Sequence, residues 1–204
     1  MSAKILIFVL PALVLSACAS VDRHTLRDGD ILFQDFASSQ SEAIKIATGS
    51  EYSHCGVVFF DGDRPMVWEA VQPVTITPLT EWIGRDIDSH YVVMRLRDGD
   101  KQLSPAAIDA MKSYGRAVMG RDYDALFEWS DDRFYCSELV WKIYSEGAAI
   151  ELCPRRPIGD YSLDNPVVRE KLAERYGDLV PLDRMVVAPS DLYNSPLVEL
   201  VYRK

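Results

Sequence analysis

The sequence predicts an α+β domain, and two features carry that prediction. Short β-forming stretches and short helical stretches alternate in one block from Asp28 to Lys204, with no linker composition between them. The longest β signal, "YSHCGVVFF", is followed by the turn "DGD" and a second run, "RPMVWEAVQPVTITP", which reads as an antiparallel hairpin. A chain of 204 residues, 48% of them hydrophobic, is long enough for one domain with a sizeable core.

The elements follow in order. "GDILFQDF" (Gly29 to Phe36) is a first strand. Ser39, with Glu42 three residues on, makes a capping box for a helix through Ala47 that Gly49 closes. Tyr52 to Phe60 is the second strand, and the run from Arg64 to Pro78 returns beside it. Thr77 and Pro78 open a short helix through Trp82. Ser89 to Leu96 is another strand, and Ser104-Pro105 caps a longer helix to Met119. The polar loop "RDYDALFEWSDD" leads to a helix that starts near Cys136 and stops at Gly147. Asn165-Pro166 opens a surface helix ended by Gly177, and two late strands lie near Arg184 to Val187 and Leu197 to Tyr202.

The N-terminus is of another kind. "MSAKILIFVLPALVLSA" has an early cation, Lys4, and an apolar run from Ile5 to Leu15 broken by Pro11, which is the pattern of a secretory signal. Its end, Leu15-Ser16-Ala17-Cys18, resembles the bacterial lipobox, which implies a signal peptide over 1–17 and an acylated Cys18. The alternative is an ordinary signal cut near Ala19. On the lipobox reading, 18–27 is a lipidated tether to a domain over 28–204. Ala19, where an aspartate would retain the protein in the inner membrane, points to an outer-membrane anchor in the bacterial cell envelope, facing the periplasm. A formal net charge of -9 argues against a nucleic-acid partner, whose phosphates need basic patches, and against loose docking on anionic lipid. After Cys18, the cysteines Cys55, Cys136 and Cys153 remain, so in an oxidising compartment at most one pair can bridge.

Chemistry enters through the hairpin. A two-residue loop at Asp61-Gly62 places Phe60 opposite Asp63 and His54 opposite Glu69. Side chains so paired are roughly 4.5–5.5 Å apart at Cβ, on one face of the sheet. A carboxylate there holds the imidazole's tautomer and stabilises its charged form. A register slip of one residue would separate them. By the same alternation Cys55 points to the opposite face from His54, which argues against a shared metal ion. The Cys-x-x-Cys and His-x-x-x-His spacings of metal sites are absent as well. No metal or organic cofactor is expected. Cys136 sits where a helix begins. There the N–H groups and partial positive charge favour a thiolate and can stabilise an oxyanion. By itself it also reads as the head of a buried stripe with Leu139, Val140 and Ile143. With His54 and Glu69 available as a pair, nucleophilic catalysis is the stronger reading.

"GDILFQ", "SEYSHCGVVF", "VWEA", "GRDYD" and "FYCSELVWKIY", in that order, resemble the permuted papain-like amidases of the YaeF/YiiX kind, within the NlpC-type superfamily. In that family the histidine strand precedes the cysteine helix, as His54 precedes Cys136. The resemblance implies a circularly permuted papain-like fold, an antiparallel barrel-like sheet packed against the cysteine helix. It also implies Cys136 as nucleophile, His54 as general base and acid, and Glu69 as the orienting residue. The reaction implied is hydrolysis or acyl transfer at an amide or ester carbonyl, in cell-wall peptides, an N-acyl compound or a membrane lipid.

Tyr135, Tyr52 and Tyr123 are candidates for the oxyanion site or the pocket, each with a core role as the alternative. Asp122 and Tyr123 either line the pocket or belong to a loop that Asp124 caps. Glu138 reads as a first-turn partner of the helix dipole. His90 reads as solvated or structural, His24 as inert and Cys153 as a loop thiol, with Trp68 and Phe60 as core or pocket wall. Two rival functions remain. One is a fatty acyl transferase or lipase, which a wide apolar pocket beside Cys136 would favour. The other is a binding or assembly module without turnover, which an unreactive Cys136 would favour.

Overall fold

The computed structural model describes residues 25–36, 38–86 and 89–204. Residues 1–24, with the signal segment, Cys18, His24 and most of the tether, lie outside the described residues. The strands are β1 (Ile31–Gln34), β2 (His54–Asp61), β3 (Arg64–Ala70), β4 (Val74–Pro78), β5 (Tyr91–Leu96), β6 (Asp122–Tyr123), β7 (Arg133–Phe134), β8 (Arg156–Pro157), β9 (Met185–Val186) and β10 (Val198–Arg203). The helices are α1 (Ser39–Thr48), α2 (Leu79–Ile83), α3 (Gly99–Gln102), α4 (Pro105–Ala117), α5 (Cys136–Ala148), α6 (Pro166–Tyr176) and α7 (Pro189–Tyr193).

Six strands form one antiparallel sheet in the order β10-β5-β1-β2-β3-β4. Both faces are covered, so β2 is buried along nearly its whole length. On one face Phe33, Cys55, Val57, Phe59 and Trp68 pack with Leu139, Val140 and Ile143 of α5. On the other, Leu32, Val58, Val67 and Val93 pack with Leu79 and Trp82 of α2. The architecture is the expected α+β, with the cysteine helix laid on the sheet.

Several local expectations are corrected. The N-cap of α1 is Ser38, whose hydroxyl accepts from the Ser41 N–H, and Ser39 is the first helical residue. Gly49 closes that helix in the left-handed region, φ +63°. The returning run divides into β3 and β4 around Val71 to Pro73. Gly147 does not end α5, which continues to Ala148. Gly147 serves packing instead, since a side chain there would run into the Met111 backbone on α4. The helices α3 and α7 were not foreseen. The helix α6 is largely exposed, yet Val168 is buried and the helix packs on α1.

The hairpin has a two-residue loop, but it is Gly62-Asp63. Asp61 pairs with Arg64 and Val57 with Trp68, two residues along from the expected register. Gly62 takes φ +58°, in the left-handed region that glycine enters without a side-chain penalty. A slip of two preserves which face each side chain occupies. His54 and Glu69 therefore still share a face, as diagonal neighbours.

Candidate active site

The site is assembled at the first residues of β2 and α5. His54 and Glu69 are both buried, and His54 Nε2 lies 2.7 Å from Glu69 Oε2. The diagonal approach is open because Gly56 has no side chain; a methyl there would lie 3.3 Å from Glu69 Cβ and 2.6 Å from Val67 Cγ1. The other carboxylate oxygen, Oε1, accepts from Thr77 Oγ1 at 2.6 Å and from Arg85 Nη1 at 2.6 Å. Arg85 Nη2 also bonds Thr77 Oγ1 at 3.2 Å. Glu69 is thus held at both oxygens and wholly enclosed. Burial pushes its pKa up, but the His54 hydrogen bond and charge, with Thr77 and Arg85, outweigh burial and hold it below the ordinary carboxylate value.

Nε2 is taken by Glu69, and Cys136 acts on the ring as its second neighbour. Burial alone would disfavour the imidazolium. The hydrogen bonds and charges of Cys136 and Glu69 overcome that and raise the His54 pKa to about 9. The ring is fixed from its flanks by Phe36, at 4.5 Å between centroids, and Trp82, at 6.1 Å.

Cys136 is the first residue of α5, a 13-residue helix, and is buried. The Cys55 thiol, His54 and the Cys55 backbone N–H are the hydrogen-bonding neighbours that act on its sulfur. These bonds, the Cys55 thiol foremost, outweigh burial and lower the Cys136 pKa well below that of a free thiol. The Cys55 thiol is pushed the other way, first by burial and then by its bond to Cys136, and stays protonated. Cys55 does face away from His54, as alternation requires. Cys136 sits at the strand's end, where both faces of β2 reach it.

The tyrosines separate. The pairing of β6 with β7 sets Tyr123 beside Phe134, and so beside the start of α5. Tyr123 and Cys136 line the same pocket. The Tyr123 hydroxyl accepts from Gln40 Nε2 at 3.0 Å, and burial, then the Cys136 charge, push its pKa up, so it remains an O–H donor. Tyr135 lines the pocket too, but its hydroxyl accepts from the Val187 N–H at 3.2 Å. Tyr52 lies outside that wall, stacked on Tyr193 at 5.0 Å and near Phe33. Asp124 caps its loop through the Leu126 and Glu128 N–H groups, and exposed Asp122 accepts from Gln72. Glu138 accepts from the Tyr135 N–H at 3.4 Å and pairs with Lys142 at 3.0 Å, away from the reacting atoms. Cys153 is a free, buried thiol and His90 is exposed.

Sequence reasoning missed Thr77, Arg85, Gln40 and the thiol of Cys55. A glycine within the β-run "HCGVV" was a usable signal of close approach; the others had none. Among the described residues no group of three or more His, Cys, Asp or Glu side chains is placed to hold a metal ion.

A low-pKa thiol at a helix start, an imidazole beside it and a buried carboxylate behind the imidazole form, on an antiparallel sheet, the arrangement that nucleophilic cysteine chemistry requires. The chain belongs to the family described as permuted papain-like amidase enzyme, YaeF/YiiX, C92 family, whose pattern matches residues 25–202. It is 38% identical over 194 residues to the protein named "Uncharacterized protein YiiX" of Escherichia coli (strain K12), covering 94% of this chain and 95% of that one. It also resembles the crystal structure described as metalloprotein yiiX from Escherichia coli O157:H7, with a TM-score of 0.84, 39% identity, and coverage of 88% of this chain and 98% of that one.

Proposed function

We propose that this member of the amidase family hydrolyses an amide, or an ester, through an acyl-enzyme on Cys136. The observation that carries the reading is buried His54, held at Nε2 by Glu69 and set beside Cys136 at the start of α5. At neutral pH the pair rests as thiolate and imidazolium, because the Cys136 pKa is lowered and that of His54 is raised to about 9. Cys136 Sγ attacks the carbonyl carbon, forming an S–C bond, and the carbonyl electrons move to oxygen. Collapse breaks the C–N bond while His54 gives its proton to the leaving amine. His54, now neutral, takes a proton from water, which attacks the thioester and releases the acid and the thiolate. Glu69 remains ionised and keeps the ring aligned. Tyr123 and the N–H groups at the start of α5 stand as donors for the oxyanion.

The yiiX protein of the crystal structure is described as a metalloprotein. The residues here do not fit a metal centre, since the described residues offer no group of three or more His, Cys, Asp or Glu side chains placed to hold an ion and His54 Nε2 is taken by Glu69. No step is routed through a metal. Acyl transfer, with a second nucleophile in place of water, uses the same steps, and the apolar pocket beside Cys136 favours it as the second reading. The lipobox-like Leu15 to Cys18 supports attachment by lipid at Cys18 to the outer membrane, facing the periplasm. Cys18→Ser would then release the chain from membranes in a bacterial host.

The test of the chemistry is trapping. Incubation with cell-wall fragments or with lipid extract, followed by intact-mass spectrometry, should reveal an acyl adduct on Cys136 that Cys136→Ala lacks. Turnover that survives in Cys136→Ala with its fold intact would remove the mechanism.

A further inference from the structure

We propose that Cys55 and Cys136 are a reversible disulfide pair, closed by a hydroperoxide, which takes Cys136 out of action and shields it from deeper oxidation. The inference goes beyond the acyl-enzyme reading and needs no turnover, since it concerns the two sulfurs. Both residues belong to one buried cluster, where the first residues of α5 meet the first residues of β2. The Cys55 thiol and the Cys55 backbone N–H both act on the Cys136 sulfur as hydrogen-bonding neighbours. Among the described residues Cys55, Cys136 and Cys153 are free thiols, so neither member of the pair is bridged elsewhere. Cys136 is part of the pocket wall, which gives a small oxidant a way to its sulfur. Cys55 is fully enclosed, so its reaction partner is the neighbouring sulfur rather than a dissolved reagent. The export proposed above from Leu15 to Cys18 would set the pair in an oxidising compartment.

The chemistry closes with these groups and one hydroperoxide. The thiolate is the form that attacks a peroxide, and the neighbours of Cys136 favour it. Its sulfur attacks a peroxide oxygen, an S–O bond forms and the O–O bond breaks. The His54 imidazolium gives its proton to the departing oxygen. Cys136 becomes a sulfenic acid, its sulfur oxidised by two electrons and the peroxide reduced by two. Until then the Cys55 thiol is kept protonated by burial and by the Cys136 anion. Oxidation of Cys136 removes that anion and so releases part of the hold on the Cys55 proton. Cys55 Sγ then attacks Cys136 Sγ. The S–S bond forms, the S–O bond breaks, and the hydroxide leaves with the Cys55 proton as water. A dithiol reductant reopens the bridge by exchange and returns both thiols. Without Cys55 the sulfenic acid has no resolving thiol beside it and passes to the sulfinic acid, which a thiol does not reverse.

The test treats the purified full chain with hydrogen peroxide and then with dithiothreitol. Peptide mapping without reductant should join the Cys55 and Cys136 peptides, each sulfur having lost its hydrogen and gained no oxygen. Labelling of Cys136 by iodoacetamide should be lost in the oxidised chain and regained after dithiothreitol. Cys55→Ser should instead carry oxygen on Cys136 and stay unlabelled after dithiothreitol. Cys153→Ser should bridge as the native chain does. In the native chain, a bridge from Cys136 to Cys153 or Cys18, or oxygen on Cys136 with Cys55 still a thiol, would overturn the proposal. Those readings need no variant, so they decide the matter even where Cys55→Ser does not fold.

Discussion

Gly56 faces Glu69 across β2 and β3, and its missing side chain is the opening through which the carboxylate reaches His54. A methyl there would lie 2.6 Å from Val67 Cγ1 and 3.0 Å from the Trp68 carbonyl oxygen. Gly56→Ala should therefore cost about 1–3 kcal/mol of stability, the usual range for overpacking a filled interior. It should also reduce turnover in the protein that remains folded, because Glu69 is displaced. Urea midpoints beside kcat for the folded fraction separate the two effects. Full activity in a destabilised variant would show that the opening serves packing alone.

Glu69→Gln keeps the shape and removes the charge. The His54 imidazolium then loses one of the two anions that oppose its burial, so its pKa should fall from about 9. The rate should drop on the order of a hundred- to ten-thousand-fold, the range of positioned acid–base chemistry. NMR titration of the His54 ring is the direct reading. An unchanged ring pKa would mean that Arg85 and Thr77 already neutralise the carboxylate.

The pH window follows from two opposite shifts. Cys136 is lowered and His54 raised to about 9, so the ion pair exists between those limits. The acid limb of kcat/KM should belong to the coupled pair and lie well below the ordinary thiol value. The alkaline limb should fall near pH 9 as His54 loses its proton. Stability has the corresponding sign for the His54 proton. Its contribution is full below the unfolded value of about 6.5 and is lost as pH rises through about 9. A rate flat from strongly acid to pH 8 would exclude the pair.

Cys55→Ala removes the S–H donor that leads the lowering of the Cys136 pKa. The midpoint of Cys136 alkylation by iodoacetamide should move to higher pH, and Cys55→Ser should restore part of the shift. An unmoved midpoint in both variants would leave the tuning to His54 and the helix start.

Gly147→Ala forces a methyl against the Met111 backbone, where α5 crosses α4. About 1–3 kcal/mol of destabilisation is expected, read as a lowered melting temperature. Gly147 is the penultimate residue of α5, at the opposite end of the helix from Cys136, so kcat of the folded protein should hold.

Local patterns sufficed for what is local. The β-run around Val57 and Val58, the Ser104-Pro105 cap and the closing Gly49 and Gly177 are written in adjacent residues, and they stand where read. The shared face of His54 and Glu69 was legible through alternation, which tolerates a register error of two. Thr77, Arg85 and Gln40 were not legible, because each reaches the site across a strand pairing or a helix packing that no neighbouring residue announces.

The sequence by itself determined the class of fold, the order of His54 before Cys136 and the residue types of the candidate site, since these depend on spacing and residue chemistry. Only the tertiary structure decided that Cys136 stands beside His54 and Cys55 at the start of β2, and that an apolar pocket opens beside it. Those facts arise from how α5, α1 and α6 pack on one another and on the sheet. Packing follows side-chain volume and burial summed over distant segments, which a reading along the chain does not contain.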